Sequence, residues 1–200
     1  MEQKLLTLFS KVISIQDIEF DIKKIKSEAD KIEFQKPPLE KQSVSFKILD
    51  KKIFKNLKKP LMDKFYKYAH NFLKYSDQEF KITTSWLTKT TPGRDSFMHN
   101  HRNSMFSGIL YLKTEPGKAK IRFWNPRREG FLLQPVEYNV LNSENYIISL
   151  SEKNLLFFPS EVYHKIETND TNSDRLSLAF NIVPTNKFGE GDSSVDLTVN

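Results

Sequence analysis

Beyond residue 80 the chain breaks into short apolar runs separated by turn-forming clusters, and this punctuation restricts the fold more than any other feature. The runs are Ile82–Thr88, Met105–Leu112, Lys118–Trp124, Tyr146–Leu150, Leu155–Phe158 and Leu176–Val183. Between them lie Thr91-Pro92-Gly93, Glu115-Pro116-Gly117, Asn125-Pro126 and Thr168-Asn169-Asp170-Thr171-Asn172. Proline fixes φ, glycine supplies positive φ, and Asn and Asp bond their own backbone, so each cluster ends a ladder. Each run is too short for an ordinary helix and rich in β-branched and aromatic residues. A succession of such strands predicts a sandwich or jelly roll. The expected fold is mainly β with flanking helices, a double-stranded β-helix.

The first 79 residues have a different texture. Leu5-Leu6-Thr7-Leu8-Phe9-Ser10-Lys11-Val12-Ile13 reads as an early strand. Residues 20–33 alternate acids and lysines at helical spacing, an exposed helix ended by Pro37-Pro38. Pro60 is expected to start the best helix, with Leu61, Phe65, Tyr68, Phe72 and Tyr75 on one apolar face. His70 lies off that stripe and reads as a surface or partly buried helix residue. Residues 1–79 then form an N-terminal strand and helices packed on a jelly-roll core of residues 80–184. Residues 185–200 form a polar tail with Gly189 and Gly191, expected to be mobile. All of this fits one domain of 200 residues.

Composition excludes several classes. With 38% apolar residues and 16 Phe the chain can bury a core. No run of 18 apolar residues occurs, so no membrane-spanning helix is expected. The N-terminus is a poor signal peptide, and a cytoplasmic location in a bacterial or phage-infected cell is the expectation. Without cysteine there are no disulfides, zinc–thiolate sites, iron–sulfur clusters or cysteine nucleophiles. The net charge of +6 is carried by residues 1–81, with 18 Lys, no Arg and 12 acidic residues. This is a solvated lysine face; a nucleic-acid surface would interleave arginines and aromatics. Five of the six arginines fall between Arg94 and Arg128, and the sixth is Arg175. Where Lys is the default cation, an Arg marks a place for a planar fork.

Four histidines occur, and three are placed to share a metal. His99 and His101, two apart on an extended segment, point to one face. His164 follows 63 residues after His101, beside another strand, and a jelly roll can bring such strand ends together. Imidazole suits Fe, Cu, Ni and Zn alike, so ligand type alone does not choose the ion. An H-x-H pair is common without a metal, and the surrounding pattern carries the weight. The first stretch runs His99-Asn100-His101-Arg102-Asn103-Ser104-Met105-Phe106-Ser107-Gly108-Ile109-Leu110-Tyr111-Leu112. The last runs Asn154-Leu155-Leu156-Phe157-Phe158-Pro159-Ser160-Glu161-Val162-Tyr163-His164, then Arg175-Leu176-Ser177-Leu178-Ala179-Phe180-Asn181. Ile121-Arg122-Phe123-Trp124-Asn125-Pro126-Arg127 sits between.

In this order the motifs resemble those of Fe(II)/2-oxoglutarate-dependent oxygenases. The likeness is close to the small oxygenases of marine bacteria and their phages, and more distant to prolyl hydroxylases; it covers roughly residues 80–184. It implies that His99 is the first ligand of an H-x-D/E motif, that His101 takes the carboxylate place, and that His164 is the distal histidine. Arg175 resembles the basic residue that binds the far carboxylate of 2-oxoglutarate. Ser177 completes an R-x-S pattern on the same carboxylate, and Tyr111 matches a tyrosine that reaches it from the neighbouring strand. The implied enzyme is a dioxygenase that hydroxylates a C–H bond while 2-oxoglutarate and O2 become succinate and CO2. Its substrate would be a prolyl or other protein side chain, or a small molecule. Arg suits a carboxylate because its fork pairs both oxygens, at roughly 1.5–3 kcal/mol per charged hydrogen bond.

One departure stands out. Asp or Glu is usual where His101 stands, and three neutral imidazoles leave the metal its full double charge. Asp95 is a nearby carboxylate, but four residues before His99 is the wrong spacing. Other positions stay open. Asn103 and Ser104 line the pocket or cap a turn. Arg127 meets an acidic or peptide substrate or makes a structural salt bridge. Asn181 shares a strand face with Arg175, Ser177 and Ala179 and is within reach of the site. Trp86 and Trp124 read as core. Two rival functions are a cupin-like jelly roll holding another ion without 2-oxoglutarate chemistry, and a binding protein using its basic N-terminal region. No phosphate-binding glycine loop, glycosidase carboxylate pair or serine elbow is present.

Overall fold

The computed structural model describes residues 7, 9–35, 41–75, 78–125 and 134–199. The chain order is β1 (Ser14–Asp17), α1 (Ile22–Ala29), β2 (Lys41–Gln42), a 3-10 turn (Ile48–Asp50), α2 (Lys55–Tyr66) and a π-helical turn (Lys67–Phe72). There follow β3 (Glu79–Thr90), β4 (Phe106–Lys113), β5 (Ala119–Trp124), β6 (Asn145–Leu150), β7 (Asn154–Pro159), β8 (His164–Ile166), β9 (Arg175–Phe188), a 3-10 turn (Gly191–Ser193) and β10 (Val195–Leu197). The larger sheet has the order β1-β7-β4-β9-β3-β2, with β10 added to the end of β9. The smaller has the order β6-β5-β8. The strand pairs within both are antiparallel. This is the jelly roll that the strand spacing predicts.

Period-two alternation sorts the larger sheet into two faces. Phe106, Leu110 and Leu112 of β4, Leu155 and Phe157 of β7, and Leu176, Leu178, Phe180 and Ile182 of β9 pack with the helices. Ile109, Tyr111, Leu156, Phe158 and Ala179 point the other way, onto Ala119, Ile121 and Phe123 of the smaller sheet. In β3 a register shift between Ile82 and Thr84 changes the parity. Phe80 and Ile82 face the helices before it, and Trp86 faces the smaller sheet after it. Gly108 makes room on the helix side: a Cβ there would lie 2.3 Å from the Phe180 ring.

Three expectations for the N-terminal region need correction. Of the early strand expected at residues 5–13, Leu5, Leu6 and Leu8 lie outside the described residues and residues 9–13 are not in a strand; the strand is Ser14–Asp17, where Ile15 and Gln16 pair with Leu156 and Leu155. Val12 and Ile13, beside it, lie outside any strand. Pro60 does not start α2 but lies inside it. Burial begins upstream, with Ile48, Leu49, Phe54 and Leu57 almost wholly covered, and that apolar run draws the helix start back to Lys55. A proline inside a helix costs about 3 kcal/mol, which the covered side chains offset. Finally, Phe72 and Tyr75 do not continue the apolar face. The π-helical turn adds a residue to the repeat and rotates the stripe, so Ala69 is buried while Phe72 is exposed. The helix at 20–33 is present as α1, with the Asp21 side chain accepting from the Lys24 amide. Pro37-Pro38 lies outside the described residues. At the C-terminal end, Val195–Leu197 returns antiparallel onto Asn186–Phe188, with Gly189 and Gly191 at positive φ between.

Candidate active site

The three histidines meet because the turn after β7 and the segment before β4 form a short ribbon. His99 and His164 exchange both backbone hydrogen bonds, at 3.0 and 2.9 Å, and the His101 amide donates to the Ser160 carbonyl at 2.9 Å. Their rings lie 4.4–5.3 Å apart by centroid. One potential ligand nitrogen from each lies within 4.8 Å of the others. A divalent ion bound by imidazole at about 2.0–2.1 Å fits this spacing with small ring movements.

The rings are prepared for a cation. His99 Nδ1 lies 2.8 Å from the Phe97 carbonyl, and His164 Nδ1 lies 3.0 Å from the Val162 carbonyl. A carbonyl only accepts, so Nδ1 carries the proton in both and Nε2 keeps its lone pair for a metal. His164 is buried against Phe158 and Phe123, and His101 packs 5.6 Å from Trp86. Burial, together with the neighbouring His99, pushes His101 down to about 4 and His164 down to about 3. Both are neutral near pH 7, the state in which imidazole ligates.

From the triad a cleft runs between the sheets. It is lined by Trp86, Ile109, Ser107, Thr88, Ser177 and Ala179, and by Gln42 from β2. The sheet register orders its floor in rows: Thr84–Asn181–Ser107, then Trp86–Ala179–Ile109, then Thr88–Ser177–Tyr111, then Thr90–Arg175. Ser177 and Tyr111 are thus cross-strand partners. Arg175 lies one step further along the same face, 3% exposed. Its guanidinium donates to the Glu167 carbonyl at 2.7 Å and the Lys118 carbonyl at 3.4 Å. A buried guanidinium on the same sheet face as two hydroxyl-bearing side chains suits an anionic carboxylate, although of the three only Ser177 lines the cleft itself.

Other residues fall elsewhere. Asp95 is ion-paired with Lys165 at 2.6 Å and is not in the histidine cluster. Asn103 is an exposed turn residue. Trp86 lies in the cleft wall, whereas Trp124 is on the outer face with the Arg122 guanidinium 5.5 Å from its ring. Arg122 also forks onto Glu167 at 2.7 and 3.3 Å. Arg127 lies outside the described residues. Sequence reasoning missed Ser107, Ser160, Thr84 and Asn169. Asn169 is buried and donates to the carbonyls of Thr90 and Ser173, so it fastens the loop that leads into Arg175.

A jelly roll with three histidines clustered in the cleft between its sheets could hold a metal ion there. Residues 84–181 match the family described as "Putative 2OG-Fe(II) oxygenase", so this stretch is similar to oxygenases that use Fe(II) and 2-oxoglutarate. Solved structures agree in fold. HygX from Streptomyces hygroscopicus, with nickel, 2-oxoglutarate and hygromycin B bound, is 12% identical with a TM-score of 0.63, over 86% of this chain and 83% of that one. SnoN, a non-heme α-ketoglutarate-dependent epimerase from nogalamycin biosynthesis, is 12% identical with a TM-score of 0.64, over 87% and 79%. A Pseudomonas putida prolyl-4-hydroxylase is 16% identical with a TM-score of 0.57, over 87% and 94%. No curated protein matches the chain in sequence. No helix among the described residues is long and apolar enough to cross a membrane.

Proposed function

We propose that the protein is a dioxygenase that hydroxylates a C–H bond of a prolyl or other protein side chain, with His99, His101 and His164 holding Fe(II). The supporting observation is an order along one sheet face: Ser107 and Ile109 line the cleft with the histidines, Ser177 with its cross-strand partner Tyr111 comes next, and Arg175 follows one step further along. Fe(II) and 2-oxoglutarate, when held there, would supply the oxidising chemistry, with succinate and CO2 as co-products. The protein's part is placement. The three imidazoles present neutral donors on one side of the ion. Arg175, with Ser177 and Tyr111, holds the far carboxylate of 2-oxoglutarate and so aims its other end at the histidines. Trp86, Ile109 and Phe158 keep that end of the cleft apolar. A prolyl-4-hydroxylase among the structural neighbours favours a protein substrate, and HygX, with hygromycin B bound, keeps a small molecule as the alternative outcome.

The test is incubation of the Fe(II)-loaded protein with 2-oxoglutarate and O2, with succinate measured and candidate substrates followed by mass. Succinate with a gain of one oxygen atom on a proline-containing peptide is the expected result. Succinate formation with oxygen gained only by small molecules would overturn the protein-substrate reading. Metal binding with neither succinate nor 2-oxoglutarate binding would leave a cupin-like metal protein instead.

A further inference from the structure

We infer that Ser107 and Asn181 are positioning residues that set His101, the one imidazole of the three that no described residue fixes by a hydrogen bond to its ring. The inference rests on the triad being a metal site and adds what controls its third ligand. His99 and His164 are each oriented through Nδ1 by a carbonyl two residues away. Among the described residues neither ring nitrogen of His101 has such a bond, and its ring is placed by packing on Trp86. Its backbone is therefore the remaining control, and that backbone is tied to Ser160.

Ser160 is a fully buried node. Its amide donates to the Met105 carbonyl at 3.0 Å, and its carbonyl accepts from His101 at 2.9 Å. Its hydroxyl lies 2.8 Å from the Ser107 hydroxyl, which lies 2.9 Å from Asn181 Oδ1. Asn181 Nδ2 in turn donates to Thr84 Oγ1 at 3.2 Å. The direction of this chain follows from chemistry. An amide oxygen only accepts, so the Ser107 proton goes to Asn181, and the Ser160 proton must go to Ser107. Every link is then used, and the side chains of β4, β9 and β3 jointly fix where Ser160 sits. Among the described residues the backbone bond that holds His101 across the ribbon is the one to Ser160, whereas two others join His99 to His164. Small apolar side chains would fill the same space between the strands without burying hydroxyls, so packing alone does not call for this chain.

The prediction is specific to one ligand. Ser107→Ala strands the Ser160 hydroxyl and the Asn181 amide oxygen, and Ser160 is freed to shift. Co(II) titration of the metal-free protein, followed by visible absorption and calorimetry, should show affinity weakened by about 10–100-fold, the scale for residues that orient a metal ligand. Ser107→Thr keeps the hydroxyl and should recover most of the loss. In a His101→Ala background, Ser107→Ala should change affinity by no more than about twofold, because its target is gone. A factor that is equal with and without His101 would show that Ser107 supports the whole fold and would overturn the inference. Unchanged Co(II) affinity in Ser107→Ala would overturn it as well. If Ser107→Ala does not fold, Asn181→Ala at the half-exposed end of the chain takes its place, with the same cycle and the same overturning outcomes. A parent protein that takes up no Co(II) overturns the triad reading itself and this inference with it, an outcome distinct from a parent that binds while the variants bind equally well.

Discussion

The two faces of the larger sheet are built from alternate residues of the same strands, yet they do opposite things. On the helix side, Phe65 packs edge-on against Phe80, Phe106 and Phe157 at centroid distances of 5.1–5.4 Å, and Tyr68 lies over Phe157. The hydroxyl of Tyr68 is paired, donating to the Val12 carbonyl at 2.7 Å, and burial of rings at this density supplies much of the stability. On the cleft side the same strands present Thr84, Ser107, Thr88, Ser177, Asn181 and Arg175 among a few apolar neighbours. Hydroxyls, an amide and a guanidinium contribute little net stability when buried, so this face depends on the other for its rigidity. Stability and chemistry are therefore separable by residue parity, and mutations should sort accordingly.

The largest effects come from crossing the two faces. Phe65→Ala empties the centre of the aromatic cluster and should cost about 3–5 kcal/mol of folding stability. Denaturant titration measures it, and the surviving folded protein should still bind one metal per chain. His164→Ala should reverse the pattern, removing most metal binding while the unfolding free energy of the metal-free protein changes far less. Loss of both properties in either variant would mean that the faces are not independent.

Arg175→Ala comes next and sharpens the comparison within the cleft face. Removing a buried charge partner costs about 2–5 kcal/mol, so 2-oxoglutarate affinity should collapse while metal affinity holds. Calorimetry on metal-loaded parent and variant separates the two. Equal 2-oxoglutarate affinities would put the carboxylate pocket elsewhere.

A smaller effect follows from acid. His101 and His164 are pushed down to about 4 and about 3, each first by burial. As pH falls below about 6.5 the unfolded chain takes up protons at these positions before the folded one does. The stability of the metal-free protein should therefore decline between about pH 6.5 and 3, and His164→Gln should flatten that decline. Bound metal should carry the decline to lower pH, because it holds the imidazoles neutral. An acid profile identical in parent and variant would show that His164 is not the titrating group.

The fold was legible where one local rule sufficed. Turn clusters bounded the strands of the core, and the H-x-H spacing put His99 and His101 on one face. Legibility failed where tertiary contacts outvote a local signal. Pro60 reads as a helix start, but the burial of Phe54 and Leu57 extends the helix past it. The repeat through Tyr68 predicts Phe72 inside, but one π-helical turn moves it out. β8 is only three residues long and has no periodicity to read. The chain from Ser160 through Ser107 and Asn181 to Thr84 crosses four separate segments, so it exists only once the register of β3, β9 and β4 is set. Asn181 alone was placed on the site's face by alternation, whereas Ser107 and Thr84 carry no sequence signal that separates them from ordinary strand residues.

Among substitutions at the three histidines, the smallest effect expected on metal binding is that of His101→Asp, and it is the most informative about the departure from the usual ligand set. A carboxylate oxygen is a competent ligand for a first-row ion, so the variant should bind Fe(II) within about tenfold of the parent. Asp is shorter than His, and its oxygen must reach an ion also held by His99 and His164, which offsets part of the gain from its charge. That charge lowers the net charge of the centre by one, so 2-oxoglutarate, an anion, should bind more weakly than to the parent even though Arg175 is untouched. His101→Ala should instead lose much of the metal affinity, because one of three ligands is gone and water fills its place. Metal affinities for Asp, Ala and parent, read by the same titration, distinguish the cases. If both variants hold metal as the parent does, His101 is not a ligand, and its contact with Trp86 is a packing contact in the cleft wall. Asp95 would then be the next candidate, and its ion pair with Lys165 would have to open for it to reach the site.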